Sequence, residues 1–131
     1  MLATIYTDGG ARGNPGPAGI GVVIRAGDKI HRFKKYIGHA TNNQAEYQAV
    51  IFALEESKKL GLRELEFALD AELVVRQLRH EYKVKDVNLA SLFVKVWNLS
   101  HGFKKISYRH VPREQNRDAD QLVNEAIDQA T

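Results

Sequence analysis

Apolar and polar positions alternate in five segments of the chain, a pattern typical of β-strands. The predicted strands are Leu2–Thr7, Ile20–Arg25, Lys29–Ile37, Glu64–Leu69 and Lys104–His110. Asp8-Gly9-Gly10 predicts a turn after the first strand, and Gly27-Asp28 predicts a hairpin tip after the second. The segment Gly13–Gly19 is rich in Gly and Pro, which excludes a helix there.

Helical spacing of apolar residues dominates the rest of the chain. The longest predicted helix is Thr41–Leu60, which ends before Gly61, a residue that favours helix termination. Three further helices are predicted at Ala71–Arg79, Leu89–Leu99 and Ala119–Ile127. In the third helix, we expect Phe93 and Trp97 to belong to the core rather than to form a stacking platform.

The order of these elements is βββ-α-β-α-α-β-α. Three strands joined by short turns predict an antiparallel meander, and strands separated by helices predict parallel crossovers. The fold class is therefore α/β, with a mixed five-stranded sheet flanked by helices. The chain has no repeat or linker, so we predict a single domain over residues 1–131.

Composition excludes several classes of protein. The 131 residues include no Cys, which rules out disulfides, thiolate zinc sites and a cysteine nucleophile. The longest apolar run, Ala49–Leu54, is far too short to span a bilayer. With no signal pattern visible, we expect a cytoplasmic protein. Because no spare apolar stripe is evident, we also expect a monomer. The net charge of +3 is a weak indication of nucleic-acid binding.

Four carboxylates stand where strands end or helices begin, which is where sites form in open α/β sheets. Asp8 and Asp70 follow the first and fourth strands, and Glu46 and Asp120 lie in early helical turns. If the first and fourth strands are neighbours, Asp8 and Asp70 lie side by side. The two helix starts can then bring Glu46 and Asp120 over the same point.

Carboxylates crowded in this way repel one another unless cations neutralise them. Oxygen ligands without Cys or a His cluster favour hard ions such as Mg²⁺ or Mn²⁺. Two ions, about 3.5–4 Å apart, suit in-line displacement at phosphorus. One ion would activate water and the other would stabilise the leaving oxygen.

Each carboxylate taken alone also has a structural alternative. Asp8 can shape a turn, and Glu46 can close a capping box with Asn43. Asp70 can cap the helix that starts at Ala71, and Asp120 can be a solvated helix residue. Periodicity does not decide between these roles and a shared metal site, because the chain has 16 carboxylates.

Other polar residues have two interpretations as well. His110 follows the last strand, where it could move protons near a leaving group or be a partly buried, hydrogen-bonded residue. Four amides could donate to sugar hydroxyls: Asn14, Asn42, Asn43 and Gln44. One basic stretch could contact phosphates or be ordinary solvated surface: Arg76, Arg79, His80, Lys83 and Lys85.

Taken together, these motifs resemble the type 1 ribonuclease H family. They run in order from residue 6 to residue 122 and occur on the predicted elements that the family's fold requires. The segments are Tyr6-Thr7-Asp8-Gly9-Gly10, Gly13-Asn14-Pro15-Gly16-Pro17, Thr41-Asn42-Asn43-Gln44-Ala45-Glu46-Tyr47, Leu69-Asp70-Ala71-Glu72-Leu73-Val74, His110-Val111-Pro112 and Ala119-Asp120-Gln121-Leu122.

The resemblance implies an endonuclease that hydrolyses the RNA strand of RNA/DNA hybrids and leaves 5′-phosphate and 3′-hydroxyl ends. It implies four metal-site residues, Asp8, Glu46, Asp70 and Asp120, holding two Mg²⁺ or Mn²⁺ ions, with His110 as an auxiliary residue. It also implies contacts with the hybrid from Gly9, Asn14, Asn42, Asn43 and Gln44. We add Arg76, Lys83 and Lys85 as candidate phosphate contacts.

Three departures from the family's pattern affect this expectation. Ala71 stands where the family usually has Ser, so a hydroxyl that could contact substrate is missing. The segment His80–Val87 is shorter than the basic protrusion of many bacterial members. The loop His110–Arg117 lacks the usual Gly-rich sequence, as in a short, reverse-transcriptase-like subgroup of the family.

Two alternative functions remain compatible with the sequence. The chain could be a catalytically weak or inactive module that binds hybrids or double-stranded RNA, which Ala71 and the reduced basic segment favour. It could also be another nuclease on the same scaffold, such as a junction resolvase or a transposase-like enzyme. The small size of the chain and its Asn-rich positions argue against this last alternative.

Overall fold

The computed structural model describes all 131 residues. Its strands are β1 Leu2–Ala11, β2 Gly16–Ala26, β3 Lys29–Ala40, β4 Glu64–Leu69 and β5 Lys105–His110. Its helices are α1 Asn42–Lys59, α2 Glu72–Leu78, α3 Val87–Ser100 and α4 Arg117–Ala130, with a 3₁₀ turn at Arg113–Gln115. No helix combines the length and the apolar composition that crossing a membrane requires.

The five strands form one mixed sheet in the order β3-β2-β1-β4-β5. β1 pairs antiparallel with β2, β2 pairs antiparallel with β3, and the pairs β1–β4 and β4–β5 are parallel. This arrangement confirms the predicted meander followed by parallel crossovers. The helix α1 packs on β1, and Tyr47, Val50 and Leu54 contribute fully buried side chains to the core beneath it.

The predicted turn at Asp8-Gly9-Gly10 is wrong, because β1 continues to Ala11. Gly9 and Gly10 pair with Ile20 and Gly19 of β2. A Cβ atom on Gly9 would lie 2.2 Å from the backbone carbon of Ala45. The glycine therefore serves close packing of α1 on the strand rather than a reversal of the chain, a distinction that local turn propensity does not contain.

The start of α1 also differs from one of its predicted alternatives. Thr41 is the N-cap: its hydroxyl oxygen accepts from the backbone N–H of Gln44 at 3.1 Å, and Gln44 Oε1 accepts from the N–H of Thr41 at 2.9 Å. This reciprocal pair is the capping box of α1. The alternative pairing of Glu46 with Asn43 is therefore wrong, and Glu46 lies beyond the first turn of the helix.

The expectation that Trp97 belongs to the core is wrong, since half of its surface (50%) is exposed. Phe93 is partly buried and packs against the core, as expected. The helix α3 buries only Leu89 and Val96, and Val94 on its outer side is also exposed. The helix thus has a second apolar stripe, contrary to the observation on which the monomer prediction was based.

Candidate active site

The parallel pairing of β1 with β4 brings the first two carboxylates together. Its register runs from Leu2 opposite Glu64 to Tyr6 opposite Ala68 with a constant offset. Two residues further, the same offset sets Asp8 level with Asp70, which follows directly after β4. The condition under which Asp8 and Asp70 were expected to lie side by side is therefore met, since the first and fourth strands are neighbours.

Glu46 joins this pair from the second turn of α1. Its Oε1 accepts a hydrogen bond from the backbone N–H of Gly9 at 3.0 Å, which is possible because Gly9 lets the helix approach the strand. Asp8, Glu46 and Asp70 each offer one carboxylate oxygen, and these three atoms lie within 4.8 Å of one another. We call the space around them the acidic cavity; its volume is about 610 Å³.

Asp120 lines the acidic cavity from the first turn of α4, outside the closest group of three. The position of α4 depends on Gly21 of β2, where a Cβ atom would lie 2.2 Å from the carbonyl oxygen of Ala119. The role of Asp120 as an isolated solvated residue does not fit this placement. The structure therefore brings all four predicted carboxylates to one cavity.

Burial and mutual repulsion change the proton affinity of these acids. Burial, followed by repulsion from Asp70 and interactions with Asp120, raises the pKa of Asp8 to about 8. Burial and repulsion from Asp8 raise the pKa of Glu46 well above its usual value. Burial also raises the pKa of Asp70, although Arg113, 3.9 Å away, favours its charged form.

These acids fit a hard divalent cation. Three carboxylate oxygens face one another, and the single cationic side chain paired with the group, Arg113, is itself largely exposed. Buried carboxylates with raised pKa values hold protons that a cation can replace. Oxygen ligands of this kind suit Mg²⁺ or Mn²⁺ rather than soft metals.

His110 is the last residue of β5 and lines the acidic cavity as an exposed side chain. The adjacent Val111 is buried, and its N–H donates to the carbonyl of Leu69 at 2.9 Å, which anchors the start of the loop beside Asp70. Because His110 is exposed and its imidazole makes no hydrogen bond within the chain, the alternative of a partly buried, hydrogen-bonded histidine is wrong. The alternative of Asp70 as a helix cap is wrong too, since Ala71 is the N-cap of α2 and no side chain caps that helix.

Asn116 is a site residue that the sequence analysis missed. It is buried, and its Nδ2 donates to the carbonyl oxygen of Thr7 at 2.9 Å. Because Thr7 directly precedes Asp8, Asn116 connects the start of α4 to the strand that carries Asp8. Its position directly before α4, where Asn is a favoured cap, is the only sequence signal for it.

The four candidate amides lie together beside the acidic cavity. Asn14 Oδ1 accepts from the N–H of Asn42 at 2.9 Å, and Asn42 Oδ1 accepts from the N–H of Ala11 at 2.8 Å. Both oxygens are thus used within the protein, and the NH₂ groups remain available as donors. Asn43 lines the acidic cavity with Asn42, whereas the side-chain oxygen of Gln44 is engaged in the capping box.

The predicted basic contacts are not part of this arrangement. Arg76 forms ion pairs with Glu72 and Glu81, each at 3.0 Å. Lys83 and Lys85 are exposed beyond α2, and none of the three basic residues lines the acidic cavity. The structure therefore separates them from the carboxylates and amides.

Comparison with known proteins identifies the family. A family model described as "Reverse transcriptase-like" matches residues 6–126. The chain is 44% identical to the "Bifunctional protein Rv2228c" of Mycobacterium tuberculosis, over 99% of this chain and 36% of that protein. It thus spans about a third of the length of the first curated relatives it matches.

Two solved structures are similar over nearly the whole chain. The crystal structure of RNase H1 from Halobacterium salinarum is 43% identical, with a TM-score of 0.95 and coverage of 98% and 99% of the two chains. The crystal structure of LC11-RNase H1 in complex with an RNA/DNA hybrid is 48% identical, with a TM-score of 0.93 and coverage of 98% of both chains. Sequence, fold and family match agree, and the chain belongs to the type 1 ribonuclease H family.

Proposed function

We propose that this chain is an endonuclease that hydrolyses the RNA strand of RNA/DNA hybrids, leaving 5′-phosphate and 3′-hydroxyl ends. The observation that carries the proposal is the convergence of Asp8, Glu46 and Asp70 within 4.8 Å at one end of the sheet. The hybrid bound to LC11-RNase H1, 48% identical to this chain, supports the choice of substrate.

The metal requirement follows from the charge of the acidic cavity. Asp8, Glu46, Asp70 and Asp120 would hold two Mg²⁺ or Mn²⁺ ions per site. When bound, such ions lower the pKa of water and stabilise negative charge that develops around phosphorus. The protein contributes ligand orientation, because the N–H of Gly9 fixes Glu46 and because Asn116 ties the start of α4, which carries Asp120, to β1 beside Asp8.

His110 is the proposed proton-transfer residue. It is exposed at the rim of the acidic cavity, where a side chain can reach a bound strand. A leaving 3′ oxygen needs a proton, and the imidazole of histidine is the side chain that most often transfers protons in enzymes. The buried Val111 beside it restricts the backbone from which the imidazole projects.

Recognition of the RNA strand is assigned to the amides beside the acidic cavity. The NH₂ groups of Asn14, Asn42 and Asn43 are available to donate to 2′-hydroxyls, which distinguish RNA from DNA. Gly9, which has no side chain, would contact the hybrid through its backbone. Gln44 completes the proposed contacts, although its side-chain oxygen is engaged in the capping box. Lys83 and Lys85 remain candidate phosphate contacts, and Arg76 is a weaker candidate because two glutamates already pair with it.

A binding module without useful turnover is the second candidate function, and Ala71 is the observation that favours it. Ala71 lines the acidic cavity without a hydroxyl. Four carboxylates nevertheless repel phosphate unless cations neutralise them, so a pure binder gains nothing from retaining all four.

A cytoplasmic location and a monomeric state stay predictions, which cell fractionation and light scattering would check.

The test is cleavage of a labelled RNA/DNA hybrid across Mg²⁺ and Mn²⁺ concentrations. We expect metal-dependent cleavage of the RNA strand and a loss of about a hundredfold to a thousandfold in Asp8→Asn and Asp70→Asn, because electrostatic groups at a reaction centre contribute on that scale. DNA duplex, RNA duplex and a four-way junction serve as alternative substrates. Binding without cleavage would support the binding module instead.

Asp118→Asn is the matched control for these variants. Asp118 lies on the same helix turn as Asp120 but is exposed and does not line the acidic cavity. Asp118 pairs with the exposed Arg32 at 3.8 Å. Its loss should leave cleavage within about twofold of the original rate, since exposed ion pairs contribute little. Undiminished cleavage by Asp8→Asn or Asp70→Asn would refute the proposal.

A further inference from the structure

A second cavity, of about 650 Å³, opens between α2, α3 and β5, and we call it the aromatic cavity. Its volume is in the range of ligand sites, which are typically lined by rings with a few polar groups. No residue of the acidic cavity lines it. The residues that characterise it are Arg79, His80, Phe93, Trp97, Tyr108 and Arg109.

Trp97 is held in place although half of its surface is exposed. The rings of His80 and His101 contact it perpendicularly, with centroid distances of 5.5 and 5.2 Å. His80 also makes a perpendicular contact with Phe93 at 5.6 Å, from a left-handed backbone conformation (φ 63°) that is unusual for a residue other than glycine. These contacts preorganise the indole at the mouth of the aromatic cavity.

The charge of the aromatic cavity favours an anion. Two arginines line it, against one acidic residue, Glu66. Arg109 contacts Glu66 at 3.4 Å, and Arg79 contacts Glu81, which does not line the cavity, at 2.9 Å. A guanidinium has five N–H donors, so each arginine keeps donors for a phosphate after making one such pair.

We propose that the aromatic cavity binds a single strand of nucleic acid, with a base stacked on Trp97 and flanking phosphates at Arg79 and Arg109. Aromatic rings combined with cations are the elements from which single-strand sites are built. A duplex does not suit this cavity, because its bases are already stacked and only an unpaired base can enter. The cationic rim favours this polyanion over an apolar peptide or a second copy of the chain.

The site goes beyond the proposed cleavage, since none of the four carboxylates takes part in it. It is nevertheless adjacent in the chain: Arg109 lines the aromatic cavity and the next residue, His110, lines the acidic cavity.

The test uses the fluorescence of Trp97, the single tryptophan of the chain. Metal-free protein is titrated with an eight-nucleotide oligothymidylate and, separately, with an abasic oligonucleotide of equal length and charge. We expect saturable quenching by the first and none by the second. Arg79→Gln and Arg109→Gln should each weaken binding several-fold by removing a phosphate contact.

Trp97→Leu is tested with a fluorescently labelled oligonucleotide by anisotropy. We expect affinity to fall about tenfold, as expected for the loss of one stacked base. Val94→Ser is the matched control, because Val94 is exposed on the same helix but does not line the aromatic cavity; its affinity should not change. Hybrid cleavage is measured in parallel, so that a failure of this site is distinguished from a failure of the acidic cavity.

Three outcomes would overturn the proposal. Equal binding of the abasic and normal oligonucleotides would show that only charge is recognised. Unchanged affinity in Trp97→Leu would show that the strand binds elsewhere. A dimer that buries Trp97, detected by light scattering and lost in Trp97→Leu, would identify a second copy of the chain as the occupant.

Discussion

The acidic cavity and the aromatic cavity have similar volumes, about 610 and 650 Å³, but opposite chemistry. The short helix α2 connects them: it begins beside Ala71, which lines the first, and ends at Leu78, which lines the second. The acidic cavity gathers like charges that disfavour one another, and the aromatic cavity leaves apolar rings exposed to water. Each is an unfavourable arrangement in isolation, of a kind that a bound partner relieves.

The two cavities should also respond differently to change. The acidic cavity depends on close backbone packing and on protonation, because its ligands are fixed by a strand, a helix and their contact at Gly9. The aromatic cavity depends on side-chain rings at the surface of α3. Perturbations of glycine packing, pH and helix capping should therefore affect the first far more than the second.

Gly9→Ala should have the largest effect. Its Cβ would lie 2.2 Å from the carbonyl carbon of Ala45 and 2.5 Å from the nitrogen of Glu46, so α1 must shift and the bond to Glu46 weakens. We expect hybrid cleavage to fall at least about a hundredfold, and stability to fall by about 1–3 kcal/mol from overpacking. Cleavage assays and urea denaturation measure the two effects.

Gly10→Ala is the control for this substitution. A Cβ at Gly10 meets only a side-chain atom of Val123, at an ordinary contact distance of 3.6 Å. Cleavage should stay within a few-fold of the original rate, and Trp97 fluorescence should be the same in both variants. Equal losses in the two variants would contradict the role assigned to the Gly9 contact.

A change of pH in the absence of metal should have the second-largest effect, which is on the free energy of unfolding. Asp8 has a pKa of about 8 in the folded state, against about 3.9 in an unfolded chain. Between these values the folded state binds more protons than the unfolded state, so the free energy of unfolding decreases as pH rises. At about 1.4 kcal/mol per pH unit, we expect a loss on the order of 3–4 kcal/mol between pH 5 and pH 8, measured by urea denaturation.

Asp8→Asn should reduce this slope, and Mg²⁺ should restore stability at pH 8. The substitution removes the buried negative charge of Asp8, and the cation neutralises it, so burial and repulsion from Asp70 no longer disfavour the folded state. Trp97→Leu should leave the slope unchanged, since Trp97 belongs to the aromatic cavity. A slope that is the same in Asp8→Asn as in the original chain would contradict the assignment of the pH dependence to the acidic cavity.

Ala71→Ser should have the smallest effect. Ala71 is the N-cap of α2 and makes no side-chain cap, so a hydroxyl there should raise the free energy of unfolding by about 0.5–1 kcal/mol. Ala71→Gly improves the cap to nearly the same extent but adds no hydroxyl. If Ser lowers the KM for the hybrid and Gly does not, the hydroxyl acts on substrate; equal KM values would restrict it to capping.

The sequence was most informative where a residue's role depends on the order of the elements. The register that aligns Asp8 with Asp70 follows once β1 and β4 are neighbours, and alternation of apolar residues was enough to predict both strands. The placement of Asp120 followed from the predicted start of the last helix. The order of the elements therefore predicted the fold class and the places of the four carboxylates, whereas their shared role as metal ligands rested on the resemblance to the family.

Predictions failed where tertiary contacts override local preferences. The segment Asp8-Gly9-Gly10 has the composition of a turn, but it lies within a strand, and α1 packs against Gly9. Trp97 has the spacing of a core residue, yet it lines an open cavity and half of its surface is exposed. Asn116 resembles an ordinary helix cap, and only the folded chain reveals its bond to Thr7, 109 positions earlier.

That long-range bond has a consequence for the order of events during protein synthesis. Chains leave the ribosome from the N-terminus, and contacts between distant segments form late. Asp8, Glu46 and Asp70 can meet once β4 has emerged, but Asn116 and Asp120 join them more than forty residues later. The residues of the acidic cavity therefore become available in two groups during synthesis, and α4 supplies the last of them.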